Sequence, residues 1–596
     1  MILQSLYELY DRLEKDRAYE VAPLGFSLQQ ITFRIVLNTD GTLHAIDDMR
    51  QAEGTKWRPR LLRVPGSTKS PGSGFNPGFL WDNTGYMLGY KPKDTDSDRT
   101  KNSFLAFKKR HLDLQNQIQS QRFEAVCHFL SDWDPGKASE FVILDEVNPG
   151  YGVFQIRGET AYIHEDDAVH DWWMSHLQKQ VQGNHGHCLI TGLWRSIVET
   201  QPKIKRVGEQ SESLLVSFNA PAFESYQKKQ SLNAPISEEA AFKYATALNA
   251  LLAGPMSDRH RFRLGDTTVV FWTDRPSSVE DYLAAFFARG ASGGAQDEKG
   301  QDESILDRLK LFLSALSKGK EAYGELDETP DRTKFYMLGL TGQAKGRIGV
   351  RFFYQDCLAN LLEHLREHYM DIDLVPWTGC DKNNRWRTPE FPELWQILDE
   401  TAPRRQGKVD RDQIPPLLAG PLLQAVIMGQ RYPEGLYQAL LRRIHMDRQI
   451  NYIRCAVLKG CLNRNQGKEI KMCLDKDRKE PAYWTGCLFA SLEKTQYDAL
   501  GEIGASIRDR YYGSASATPR SVFPRLLRTY QHHLAKMERG KISREKLVRD
   551  IMAHLREFPA NLNLTDQGLF ALGYYHQMKE LWTAKSDKTN QEENAE

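Results

Sequence analysis

Cysteine is scarce: eight residues, at 127, 188, 357, 380, 455, 461, 473 and 487 of 596, with no CxxC pair. That spacing argues against a disulfide framework and suits reduced thiols in a cytoplasm. No apolar run approaches the roughly 20 residues that span a bilayer. The opening MILQSLYELYDRLEKD is interrupted by Glu8, Asp11 and Arg12 before a signal-peptide core could form. An excess of one charge is lacking too. Lys+Arg 79 against Asp+Glu 78 leaves +1, which excludes the uniformly basic coat of a strong standalone nucleic-acid binder. GxxxxGK[ST], HExxH and a GxGxxG following a strand are all missing, so the usual P-loop, zinc-protease and dinucleotide signatures give no support for an enzyme. The chain is expected to be soluble and cytoplasmic, with no membrane, cofactor or metal.

What is present is a globular composition, 40% hydrophobic and 26% charged, in a chain too long for one compact core. Ile2, Leu3, Leu6, Leu9, Tyr10 and Leu13 recur at helical spacing. ITFRIVLNTDGTLHAI predicts a hairpin around Asn38–Gly41. Between Gly66 and Gly78, six of thirteen residues are Gly or Pro, which predicts a loop, pinned by FLWDNTGYMLGY as a strand or hairpin. Residues 98–133 read as helical and 141–163 as β-rich. Ser237 is a good N-cap for a helix led by Glu238 and Glu239. Thr267–Trp272, Phe335–Leu340 and Arg347–Phe353 read as strands, and 288–304 as a mobile linker. Beyond about residue 411 the β signals fade, and helices at 421–430, 436–446, 450–462, 486–511, 522–537, 543–557 and 565–580 imply a bundle. The expected fold is α+β: an N-terminal region of small sheets and helices over 1–235, a middle α+β region over 236–410, an all-α bundle over 411–583, and a disordered tail at 584–596.

Two kinds of chemistry are candidates. IHEDDAVHDWWMSHL packs His164, Asp166, Asp167, His170, Asp171 and His176 together, as a metal-dependent nuclease could require; a solvated turn leading into a Trp-anchored helix competes. His185, His187 and Cys188 lack a second ligand pair for zinc. Basic patches offer the other chemistry. Residues 431–480 hold twelve Lys/Arg against six Asp/Glu, and 521–560 hold nine against four. Segregated charge of this kind steers a polyanion, unless it only solvates helix faces. In RIGVRFF, strict alternation puts Ile348, Val350 and Phe352 on one face and Arg347 and Arg351 on the other, roughly 13 Å apart. That is a phosphate track or a salt-bridged sheet surface. The loop at 66–78 carries Lys69, Ser73 and Asn76 on a backbone able to approach a ligand closely.

Several blocks carry a resemblance. MILQSLYELYDRL, FLWDNTGYMLG, LLVSFNAPAFESYQKKQSLNAPISEEAAFKYATALNALL, GDTTVVFW and SIRDRYYGSASATPRSVFPRLL…FALGYYHQ together resemble the large subunit of the type I-C CRISPR interference complex (Cascade), from Met1 to about Gln577. TGLWRSIVETQPKIKRV, TGQAKGRIGVRFF and YWTGCLFASLE depart from the family pattern, which bears on contacts near Arg195 and Gly342. The resemblance implies a non-catalytic subunit of an RNA-guided DNA surveillance complex. Such a subunit reads the short, T-rich protospacer-adjacent motif (PAM) on duplex DNA, promotes R-loop formation and stabilises the displaced strand. Its partners would be a guide RNA-containing complex with repeated backbone subunits and a guide-end-binding subunit, target double-stranded DNA, and a trans-acting helicase-nuclease. Separate copies of its own C-terminal region, from internal initiation near Met472, with Met428 and Met446 as alternative starts, are implied as well. The candidate DNA contacts are Lys69, Ser73, Asn76, Arg347, Arg351, Arg454, Arg508 and Arg510. A metal-dependent nuclease using His164–His176 and a pure scaffold are the rival readings.

Overall fold

The computed structural model describes residues 2–593 apart from 54–55, 67–73, 149, 180–183, 208–209, 219, 289–310, 317, 328, 344–346, 378–391 and 502. The linker expected at 288–304 thus lies almost wholly outside the described residues. The fold is α+β, 51% helical and 17% strand, and the chain divides into two compact units.

The first unit comprises 1–205 and 212–256. Its sheet is organised by β1 (Phe26–Leu37), a long strand that changes partners midway. Its second half pairs antiparallel with β2 (Leu43–Asp48), through the turn expected at Asn38–Gly41, and its first half with β3 (Arg60–Pro65). On the other side, β5 (Tyr151–Ile156) runs parallel to β1 and pairs with the short β4 (Trp81–Asn83). Two expectations need correcting here. FLWDNTGYMLGY forms only the three residues of β4 before turning helical at Thr84–Met87. Within 141–163 a helical turn at Ile143–Glu146 precedes β5. Asn83 explains the first switch, since its side chain accepts the Tyr86 N–H and caps the helical turn.

Apolar stripes cover the sheet. α2 (Ser97–Leu114) and α3 (Gln121–Asp132) bury Phe104, Phe107, Phe123, Val126 and Phe129, and α4 (Asp167–Lys179) adds Val169 and Trp173. α1 (Ile2–Leu13) packs on α5 (Glu238–Ala253), with the rings of Tyr10 and Phe242 edge to face at 5.8 Å. Ser237 caps α5 as expected, accepting from the Ala240 N–H.

The second unit, 206–211 and 257–596, has an antiparallel sheet, β6 (Arg261–Leu264), β7 (Thr267–Thr273), β8 (Lys334–Gln343) and β9 (Arg347–Cys357), paired in that order. All of β7 is buried, which is why it reads as a continuous apolar run. α6 (Val279–Ala288) and α7 (Leu358–Ile372) join the sheet to the bundle. The bundle contains α8 (Ala419–Ile427), α9 (Glu434–Asp447), α10 (Tyr452–Gln466), α11 (Pro481–Leu500), α12 (Ile507–Ala517), α13 (Pro519–Lys536), α14 (Lys541–Ala553) and α15 (Leu564–Glu593). One continuous core, from Phe262 to Met578, serves sheet and bundle alike.

α11 and α15 form the tightest helix pair. A Cβ on Gly486 would lie 2.0 Å from the Phe570 carbonyl oxygen, and one on Gly573 would lie 2.0 Å from that of Tyr483. Glycine at both positions lets the two backbones touch. α15 continues to Glu593, through residues expected to form a disordered tail. That segment contains no Pro or Gly to stop a helix already propagating.

Candidate nucleic-acid interface

The base of the 66–78 loop is held firmly at both ends. Trp81 is buried and donates its indole N–H to the Pro65 carbonyl at 2.6 Å, closing the loop across its neck. Asp82 accepts the Gly78 N–H at 2.8 Å, and Arg110 donates to the Pro77 carbonyl at 2.5 Å. Phe79 stacks on Trp173, 5.2 Å between ring centroids, and on His111 at 5.8 Å. Burial pushes the His111 imidazole down to about 3, so it stays neutral and accepts the Leu80 N–H. The aromatic segment does pin this loop to a core. Lys69 and Ser73 lie outside the described residues. Asn76 is exposed, and its backbone N–H donates to the Tyr86 hydroxyl at 3.3 Å.

Beside this loop the structure shows a basic edge that sequence reasoning passed over. The hairpin Gln51–Glu53/Lys56–Arg58 and the start of β3 expose Trp57, Arg58, Arg60 and Arg63. Arg50 sits over the Trp57 ring, 5.8 Å from its centroid. The signal was available: KWRPRLLR places four cations and a tryptophan in eight residues immediately before the loop, a basic-aromatic mixture suited to phosphates and bases.

The strand arginines sit otherwise than strict alternation implies. Gly339 of β8 pairs with Phe352, but its neighbour Leu340 pairs with Val350, so Arg351 is the extra residue of a β-bulge. The bulge puts Val350 and Phe352 on opposite faces, and they are 46% and 6% exposed respectively. Arg347 and Arg351 therefore do not form a regular two-residue ladder opposite Ile348, Val350 and Phe352. Both are exposed. Arg351 pairs with Asp266 at 2.8 Å, in the turn between β6 and β7.

In the bundle, Arg454 is 0% exposed. Its guanidinium bonds Glu400 at 2.7 Å, Asp447 at 2.8 Å and the Gln449 carbonyl at 3.0 Å. No phosphate can reach it, so the expected DNA contact at Arg454 is corrected to a structural ion pair: α10 is apolar on every side and turns its cations inward. Arg508 is half-buried and faces Glu493 at 3.7 Å. Glu493 also accepts from the Tyr574 hydroxyl at 2.7 Å. Burial raises the Glu493 carboxyl, while Tyr574 and Glu493 raise Arg508 further. Arg510 is exposed.

α13 offers a different surface. Its sequence, PRSVFPRLLRTYQHHLAK, contains no carboxylate. Phe523, Leu526, Tyr530 and Leu534 are buried, leaving Arg525, Arg528, His532 and Lys536 exposed at steps of three and four residues. Those four form one stripe spanning roughly 16 Å along the helix. Arg525 lies over the Tyr511 ring, 5.6 Å from its centroid, and Tyr511 follows Arg510 on α12.

The acidic-histidine segment does not converge. His164 is buried and bonds the Arg63 carbonyl at 2.9 Å. Asp166 pairs with Arg122 at 2.5 Å. His170 stacks on Phe26, and His176 on Trp172. Near His185 and His187, Cys188 is buried and its sulfur accepts the Ser237 N–H at 3.3 Å. Among the described residues, no group of three His, Cys, Asp or Glu is placed to hold a metal ion. No helix among them is long and apolar enough to cross a membrane.

A search of curated proteins found no match to this chain. A family model described as CRISPR-associated protein (Cas_Csd1) matches residues 6–582, which takes in the pinned loop, both sheets and the basic helix. The chain belongs to the Cas_Csd1 family of CRISPR-associated proteins.

Proposed function

We infer that this chain is the non-catalytic large subunit of an RNA-guided DNA surveillance complex of the type I-C kind. It reads the protospacer-adjacent motif on duplex DNA through the loop at 66–78 and the basic edge beside it. It then favours R-loop formation by holding the displaced strand along α13, while a recruited helicase-nuclease cuts. Guide pairing supplies the remaining sequence specificity. Family membership supports the setting, and the carboxylate-free face of α13 is the observation that carries the DNA-holding role. In a chain of net charge +1, four exposed basic or titratable side chains in register along one helix make a local electropositive strip.

A free C-terminal product starting at Met472 would leave behind the packing of α11 and α15 on α7 to α10 in the shared core. It would keep both close approaches of the α11–α15 pair, Gly486 on Phe570 and Gly573 on Tyr483.

The test is the salt dependence of DNA binding by the assembled complex. Replacing Arg525 and Arg528 by Gln should reduce the slope of log K against log salt by about one per lost phosphate contact. An unchanged slope would remove α13 from the DNA path and leave the chain as a scaffold.

A further inference from the structure

The segment 221–230, PAFESYQKKQ, is exposed at every residue. Yet its backbone is unusual. Tyr226, Gln227 and Gln230 hold φ values of +53°, +59° and +46°, in the left-handed region that non-glycine residues avoid. Two of them are consecutive, and one is aromatic. A single side chain maintains this arrangement. Asn233 accepts the Ser225 N–H at 2.8 Å and donates to the Lys228 and Gln230 carbonyls at 2.8 and 3.0 Å. Lys228 N–H closes the inner turn on the Ser225 carbonyl at 3.0 Å, and Glu224 N–H bonds the Pro221 carbonyl at 3.0 Å. All the polar groups of the Asn233 amide are thus spent on clasping one exposed loop.

The clasp presents a particular surface. Tyr226 is 94% exposed, an aromatic ring standing in water, followed along the chain by two exposed lysines, Lys228 and Lys229, and preceded by one carboxylate, Glu224. Strained backbone over-determined by its surroundings is how binding loops store a preformed geometry. A flat aromatic flanked by cations matches the face of an unpaired base and its phosphates, since every base offers a π-surface. A stacked duplex interior offers none.

We propose that the 221–230 loop is a base-stacking platform, in which Tyr226 stacks on one unpaired nucleobase and Lys228 and Lys229 hold the adjoining phosphates. The proposal deepens the nucleic-acid reading above and rests on it. The unpaired base could belong to guide RNA or to opened DNA, and the two share this chemistry.

The test uses the full chain with short single-stranded DNA and RNA probes carrying 2-aminopurine, whose fluorescence falls when an aromatic ring stacks on it. Wild type and Tyr226→Phe should quench the probe. Tyr226→Ala should abolish the quenching and weaken binding roughly tenfold, the size of one base–aromatic stack. Asn233→Ala, which keeps the ring but frees the loop, should fall between them. Tyr226-dependent quenching by the RNA probe assigns the guide, and by the DNA probe the opened target. Unchanged quenching in Tyr226→Ala, equal competition by a duplex of the same sequence, or no binding of either probe would overturn the proposal. Arg525→Gln/Arg528→Gln is measured in parallel. If it weakens binding while Tyr226→Ala does not, the helix reading stands and the platform falls.

Discussion

Residues 431–480 and 521–560 carry similar excesses of positive charge, twelve cations to six anions and nine to four, yet the fold turns part of the first inward, leaving Arg431, Arg442, Lys471, Lys476 and Lys479 exposed. In the first stretch Arg454, Lys459, Arg464 and Arg478 point into the protein. Lys459 donates to the Met370 and Asp371 carbonyls at the end of α7, at 3.2 and 2.9 Å. Arg464 bonds Asp371 at 2.6 Å and covers the Tyr432 ring. Arg478 donates to the Lys468 carbonyl at 2.6 Å. In the second stretch Arg525, Arg528 and Lys536 face water along α13. Charge counted along a chain is therefore not charge on a surface. What decides is the periodicity around it. α10 reads YIRCAVLKGCLNRNQ, apolar on all sides, so it must be enclosed and its cations need internal acceptors. α13 has a single apolar stripe, so its cations are left outside.

The sharpest break of this contrast is Arg454→Ala. Glu400 would keep only Arg404 and Asp447 only Arg443, and losing the buried guanidinium that joins them should cost about 1.5–3 kcal/mol and lower the urea midpoint. If stability held, the inward network would not be structural. Arg525→Gln/Arg528→Gln is the counterpart: the same melt should move by no more than about 0.5 kcal/mol, while DNA affinity falls.

Next in size is Gly573→Ala. A methyl group against the Tyr483 carbonyl should force α11 and α15 apart at about 1–3 kcal/mol. An unaffected melt would mean that the helices relax freely.

Acid should weaken the enclosed region through its buried histidines. Burial pushes His368 and His576 down from 6.5 to about 3. With folded values depressed, the unfolded chain takes up protons first. The stabilisation from keeping these rings neutral is therefore complete above about 6.5 and is lost as pH falls toward 3. His368→Gln, which keeps a hydrogen-bonding group near the Tyr432 hydroxyl, should flatten the pH dependence of the melt over that window. An equally steep profile would assign the acid sensitivity elsewhere.

Smallest is Asp266→Asn, which removes the exposed partner of Arg351. The pair should contribute no more than about 1 kcal/mol, so a larger loss would show that the bulge on β9 depends on it.

Much of this architecture was legible in the sequence. The β1–β2 hairpin, the Ser237 cap, the buried β7 and most of the C-terminal helices follow from local pattern and form near where that pattern puts them, but the single helix expected over 486–511 ends at its Gly501 cap and resumes as α12 at Ile507. What local pattern could not carry was pairing. The bulge at Arg351 exists because β8 and β9 slip by one residue between Leu340 and Gly339, a property of two strands together that breaks the single-strand alternation. Arg454 failed as a surface cation for a related reason. Its partners Glu400 and Asp447 lie 54 and 7 residues away, and only the fold assembles them. KWRPRLLR and α13 were readable, the first from its composition and the second from its single stripe.

The most direct measurement compares the guide-loaded complex with and without this chain, binding target duplexes that differ only in the flanking motif. If the chain is the reader, discrimination between motifs disappears when it is left out. Discrimination that persists without it would contradict the account.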